Sequence, residues 1–382
     1  MQKHTQLQGT KMLYPYKFTP LLVERVWGGQ TLARFGKPVP PGKRIGESWE
    51  ISDRDDAQTV VANGPDRGKT LRQLIEAHGV QLLGTNCFSS DTPTLQHSTP
   101  SRFPLLVKLL DCRERLSLQV HPPAAIAAKL NGEPKTEMWY VLDADADAHL
   151  IAGLCRGVSG VDFIRALERC GGASAKRHPS DEETALHSPR RLSGQGNAAT
   201  TVAPSIEDCV RRFPVVKGDT FFVPSGRLHA IDAGVVLVEI QQNSDTTYRV
   251  YDWGRVGLDG KPRQLHVQES LACIDFQDFE PRKVKPKVEK HGVNGLWRLV
   301  ECDYFHVHKL DLRSAWPDRC DGSSFHILAC IEGAVGILTP DNKEERLDIG
   351  QVALLPAALG HYTVVPQAEV SQALKVVVPS AL

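Results

Sequence analysis

PLLVKLLDCRERLSLQVHPP, residues 104–123, reads as two β-strands joined by a charged turn. The first run is almost wholly apolar, as a strand covered on both faces must be. The second alternates, so Gln119 and His121 share one face while Leu118 and Val120 take the other. Pro122 and Pro123 end that strand and can open a short helix over AAIAAKL. Similar runs follow at TEMWYVL (136–142), DTFFVP (219–224) and GVVLVEIQ (234–241), each bounded by turn residues. Many short strands without a helix between each pair predict a mainly β sandwich or barrel, not a doubly wound sheet.

Helices are few. LRQLIEAHG puts Leu71, Leu74 and Ile75 on one stripe, and VDFIRALERC does the same with Phe163, Ile164 and Leu167. SIEDCVRRF is expected to be a third helix, opened by a capping box between Ser205 and Asp208, with Ile206, Cys209, Val210 and Phe213 inward. Together they predict a small helical cap beside the β core. Gly218, Pro224 and His229 recur at the same offsets as Gly350, Pro356 and His361, which fits a duplicated jelly roll closed into two barrels. The expected organisation is a loose tail over 1–13, an N-terminal catalytic unit over 14–255 and a C-terminal unit over 256–382. Two stretches, 87–102 and 171–204, lack an apolar period, and the second is expected to be mobile.

The 382 residues, 41% of them apolar, exceed the usual size of one core. Lys+Arg and Asp+Glu both number 45, so no global field draws in nucleic acid or an anionic membrane. No run has the length of a membrane span, and MQKHTQLQGTK is too polar for the apolar part of a secretory signal. A cytoplasmic location follows by default. The nine cysteines are odd in number and form no C-x-x-C pair, which predicts reduced thiols. No obligate protein partner is expected.

Polar residues inside apolar strands carry the chemistry. Gln119 and His121 are either a solvated strand face or half of a metal site. KTEMWYVLD repeats the pattern with Glu137, Trp139 and Val141 on one face, and His229 follows the turn Pro224-Ser225-Gly226. Together Gln119, His121, Glu137 and His229 offer a carbonyl oxygen, two imidazoles and a carboxylate, a mixture zinc accepts with positions left open. The alternative for the histidines is that they are satisfied core residues. Trp27 and Trp49 are expected to pack, Ser48 and Ser117 to serve either substrate or backbone, and Asp245 equally to cap a turn.

GDTFFVPSGRLHA resembles the second metal-binding motif of cupins. The order Q-V-H-P, K-T-E-M-W-Y, P-S-G-x-x-H-A is similar to that of type I mannose-6-phosphate isomerases. YKFTPLLVERVWGG (16–29), GESWEIS (46–52) and VEIQQNSDTTYRVYDWGR (238–255) resemble further signatures of that family. The resemblance implies one zinc per chain on Gln119, His121, Glu137 and His229. It implies Lys135 in the same pocket, an essential arginine at Arg249 and a pocket glutamate at Glu239. It also implies interconversion of mannose 6-phosphate and fructose 6-phosphate through an enediolate, with a phosphorylated hexose as the partner. Lys135 would move a proton, neutralise the intermediate or bind phosphate, and Glu239 would act as base or orienter.

Three other functions fit less of the chain. An isomerase or epimerase of another sugar would share the metal site. A cupin dioxygenase would need a redox metal and usually H-x-H followed closely by Glu, whereas Glu137 lies 16 positions after His121. A sugar-binding β protein gives no reason for Lys135, Glu239 and Arg249 to accompany the ligands. In the C-terminal unit, His306, His308, Glu332 and His361 echo a metal motif, yet Glu332-Gly333 reads as a strand-ending turn, so no second metal is expected there.

Overall fold

The computed structural model describes residues 13–88, 102–170 and 204–380, and within them the chain is mainly β. All but the last residue of the expected mobile segment over 171–204 and most of the stretch 87–102 therefore lie outside the described residues, as do the first 12 positions of the expected tail. Four antiparallel sheets of eight, six, five and four strands make up the molecule.

The six-stranded sheet runs in the order Thr220–Val223, Glu137–Ala144, Val235–Gln242, Leu105–Cys112, Ile45–Ile51, Leu21–Gly29. Its apolar runs are continuous because it is covered on both sides. Along Val235–Gln242, Val236, Val238 and Ile240 enter one core with Leu299, Val307, Ile327 and Leu354 of the eight-stranded sheet. Leu237 points the other way, into a core shared with Leu150 and Ile231 of the five-stranded sheet.

That five-stranded sheet is ordered Tyr248–Tyr251, Leu118–Val120, His229–Ile231, His149–Leu154, Val210–Pro214. On its far face Leu118, Val120, Ile151 and Ala230 pack against the helices Gly160–Arg169, Ile206–Cys209 and Val267–Cys273. A fourth core, with Leu310, Leu328, Val335 and Val364, joins the eight- and four-stranded sheets. The molecule is thus a stack: helices, then sheets of five, six, eight and four strands.

Neither half closes into a jelly-roll barrel, which corrects the expectation from sequence. Each of the four sheets has an open order whose two end strands do not pair with each other. Closure needs a continuous ladder around the circumference. Here the edge strand Leu21–Gly29 breaks its ladder to Ile45–Ile51 at two register shifts after Val23 and Glu24, and such irregularities bend an edge away from further pairing. The repeated turn is nonetheless real. Gly218 and Gly350, with φ of 92° and 83°, both stand just before a strand that a proline follows.

SIEDCVRRF also departs from expectation. The Ser205–Asp208 capping box is present, but the helix stops at Cys209 and Val210–Pro214 continues as the edge strand beside His149–Leu154. β-branched and aromatic residues at 210 and 213 suit that edge. Tyr16–Thr19 pairs with Val352–Leu355, so the start of the described chain completes the eight-stranded sheet.

Candidate metal centre and its pocket

Antiparallel register brings distant residues into rows. Gln119 sits opposite His229 on one side and opposite Arg249 on the other. Directly opposed residues share a face, so all three side chains project toward the six-stranded sheet. That sheet answers with its own row, in which Trp49 faces Lys108, Lys108 faces Glu239 and Glu239 faces Trp139. Glu137 lies on the same face as Trp139, two positions earlier.

His121, Glu137 and His229 meet between the two sheets, with one ligand atom from each all within 4.8 Å of one another. All three are buried. His121 Nε2 stands 3.3 Å from Glu137 Oε2, and His229 Nε2 stands 3.6 Å from Glu137 Oε1. The opposite ring nitrogens are engaged by backbone: His121 Nδ1 donates to Thr246 O and His229 Nδ1 to Arg227 O, both at 2.9 Å. With the proton held on Nδ1, each Nε2 offers its lone pair to the centre. Burial, reinforced by the Lys135 charge, holds the His121 pKa well below the ordinary value. Burial lowers His229 too, against the pull of Glu137. Both rings are therefore neutral, as ligands must be.

Burial works against the Glu137 charge, but the Lys135 ammonium, 2.7 Å from Oε2, outweighs it and holds the carboxyl below its ordinary pKa. The Lys135 ammonium that pairs with this carboxylate also stands 3.2 Å from His121 Nε2. A buried carboxylate between two imidazoles whose Nε2 atoms face it is a donor set of metal-ligand type. Gln119 lies beside the group, its amide Nε2 3.2 Å from His229 Nε2. The donor set fits a divalent metal.

A cavity of about 560 Å³ lies beside this cluster, lined among others by Gln119, Lys135, Trp139, Glu239 and Arg249. Lys135 is buried, 3.2 Å from His121 Nε2 and 3.7 Å from Glu239 Oε1. Burial opposes its charge, but Glu137 and Glu239 reverse that and raise its pKa. Glu239 is pushed upward by burial and by neighbouring Glu137. Arg249 lines the wall. Its Nη1 donates to Gln264 O at 2.7 Å, its buried Nε has no partner, and no carboxylate of a described residue lies in ion-pair range.

The structure also brings in residues that the sequence reading passed over. Lys108 is buried with its Nζ 3.5 Å from Glu239 Oε2 and 4.9 Å above the Trp49 ring. Glu47 lies beside it, paired with Arg25 and accepting from Trp49 Nε1 at 2.6 Å. Burial resists the Glu47 charge, yet Lys108 and Arg25 bring its pKa down to about 2. The available signal was a lone lysine in the middle of an otherwise apolar strand, PLLVKLL, on a face that must bury it. Ser48, in contrast, points away from the pocket and donates to Glu50.

Relatives supply the name of this arrangement. Residues 16–147 match the model for the catalytic domain of phosphomannose isomerase type I, and residues 297–373 match the cupin domain of mannose-6-phosphate isomerase. Mannose-6-phosphate isomerase ManA of Bacillus subtilis is 34% identical over 359 residues, covering 93% of this chain and 97% of the relative. The chain belongs to the type I mannose-6-phosphate isomerase family.

Other members agree. The mannose-6-phosphate isomerase of Streptococcus mutans is 35% identical over 336 residues, 87% of this chain and 89% of that one. The crystal structure of the mannose 6-phosphate isomerase from Bacillus subtilis superposes with a TM-score of 0.76 at 29% identity, covering 95% and 99% of the two chains. Seen as a type I mannose-6-phosphate isomerase, the molecule has one cluster of metal-ligand type among its described residues. The C-terminal echo does not assemble: His308 faces Glu301, Glu332 pairs with Lys217, and His361 is exposed. No helix among the described residues is long and apolar enough to cross a membrane.

Proposed function

We propose that this enzyme interconverts mannose 6-phosphate and fructose 6-phosphate at a single zinc ion held by His121, Glu137, His229 and the Gln119 amide oxygen. The observation that carries the reading is the convergence of two neutral imidazoles and a buried carboxylate beside a cavity that Gln119 and Lys135 line. A half-turn of the Gln119 carboxamide brings Oε1 to the place where Nε2 now meets His229. When bound, the ion supplies Lewis acidity that favours negative charge on the sugar's C1 and C2 oxygens.

The chain's own groups supply the rest. Isomerisation moves a proton between C1 and C2 through an enediolate, and the developing charge needs fixed positive partners in a dry site. Lys135 and Lys108 are such partners, both buried and both beside Glu239. Glu239, with its pKa raised and not a member of the ligand cluster, would take the proton from one carbon and return it to the other; its position in the cavity wall supports that role. Arg249, which pairs with no carboxylate of a described residue, lines the cavity from the opposite sheet and would face an anionic substrate there. Glu137 would be committed to the ion and to Lys135, which leaves Glu239 as the carboxylate for proton transfer.

Purified enzyme should carry one equivalent of zinc, lose turnover of mannose 6-phosphate on chelation and regain it with added zinc. Full turnover without a stoichiometric metal would overturn the centre. Faster turnover of free mannose than of its phosphate would overturn the substrate.

A further inference from the structure

Behind Arg249 lies a carboxylate that touches neither the ligand cluster nor the cavity. Strand Tyr248–Tyr251 ends at Asp252, and Trp253 and Gly254 then take left-handed φ of 57° and 69°, turning the chain sharply. A non-glycine residue in that region is strained and persists only where its surroundings hold it. The segment folds back on itself through the bridge between Val256 and Pro262 and the bond from Gly257 N to Lys261 O. Its residues Gly257, Leu258, Asp259 and Arg263 form one wall of the cavity.

Asp252 is 6% exposed and ties both ends of that segment to the strand. It accepts from Arg255 Nη2 at 2.7 Å and from Arg263 through Nε at 2.7 Å and through Nη2. On the outer side Trp253 Nε1 donates to Leu116 O at 2.6 Å, and the Arg115 guanidinium stacks 4.4 Å from the Trp253 ring. Arg263 is followed by Gln264, the residue whose carbonyl orients Arg249 Nη1. Arg263 and Arg255 also lie close enough to Arg249 to repel its charge.

We propose that Asp252 is a positioning residue for catalysis: through Arg263 and Gln264 it fixes the direction of Arg249, and it holds residues 253–263 as a wall of the substrate cavity. By occupying Arg255 and Arg263 it also leaves Arg249 as the guanidinium available to an anionic sugar. Paired charge-assisted hydrogen bonds to a carboxylate give that geometric precision. The inference rests on the assignment of the cavity to a hexose phosphate.

Asp252→Asn removes the charge with little change of volume. The expected result is a KM for mannose 6-phosphate raised roughly tenfold or more, with kcat within about threefold and zinc content unchanged. Asp252→Glu, which keeps the charge, should recover most of the lost affinity. Amide hydrogen exchange over residues 253–264 should quicken in Asp252→Asn and stay slow elsewhere in the strand stack. An unchanged KM would overturn the proposal, and so would a fall in kcat accompanied by zinc loss. Unchanged exchange over 253–264 would overturn it as well. If wild-type enzyme fails to turn over the sugar phosphate, the substrate assignment falls, and the exchange comparison still decides whether Asp252 holds the wall.

Discussion

Lys37→Met tests how the six-stranded sheet is fastened to its neighbour. Lys37 Nζ donates to Glu50 Oε2 at 2.7 Å and to the carbonyl of Gly350 at 2.8 Å, from positions respectively before and after most of the chain. Glu50 is 5% exposed and its other oxygen accepts only from Ser48 Oγ, at 2.6 Å. Methionine fills much of the lysine's volume, so the change removes charge and donors more than packing. What remains is a buried carboxylate with one hydroxyl, and breaking a buried pair in this way costs about 3–5 kcal/mol. Glu50→Gln strands the ammonium instead and should cost a similar amount. The double variant leaves no uncompensated charge, so its loss should fall well short of the sum, giving a coupling of about 2–4 kcal/mol. In thermal unfolding at matched zinc content, each single change should lower Tm by about 5 °C. Single costs below about 1 kcal/mol that simply add would refute the reasoning, because the pair would then be solvated and not a buried fastening.

Arg249→Ala should lower kcat/KM for mannose 6-phosphate by at least about a hundredfold, chiefly through KM, while zinc content holds; loss of zinc or of folding as the main change would reassign the residue to structure. In the four-stranded sheet's core, His326 Nδ1 meets Tyr362 Oη at 2.7 Å, and Tyr362 in turn donates to Asp318, which pairs with Lys375. Burial, then Lys375, lowers the His326 pKa to about 4, with Asp318 and Asp321 opposing. A folded pKa below the unfolded one means that stability is fully present above about 6.5 and is lost as pH falls toward 4. The Tm advantage of wild type over His326→Asn should therefore shrink across that window, and parallel Tm curves would count against it.

Much of this site was legible because side-chain alternation is a local property. Gln119 with His121, and Glu137 with Trp139, announce a shared face within a few residues, and family motifs joined them to His229, Lys135, Glu239 and Arg249. Lys108 was hidden by the apolar run around it, and its meaning appears only when the register sets it beside Glu239 and Trp49. The barrel expectation failed for a related reason. Periodicity reports which faces are covered, whereas closure depends on whether two edge strands meet, and that is decided by bulges such as the one after Val23. Val210 and Phe213 were read as a helical stripe because four residues of true helix precede them, and only the neighbouring strand His149–Leu154 makes them an edge.

The pairing of Tyr16 with Leu354 sets an order of events during synthesis on the ribosome. Tyr16–Thr19 leaves the exit tunnel early, whereas its partner Val352–Leu355 is made more than three hundred residues later. At about 5–20 residues per second, the first strand waits on the order of tens of seconds. For the later part of that interval Val236, Val238 and Ile240 lack the partners Leu299, Val307, Ile327 and Leu354 that the eight-stranded sheet will bring. A nascent chain in this state displays apolar surface and an open strand edge, so translation pauses and chaperone supply should govern its yield more than the zinc site does.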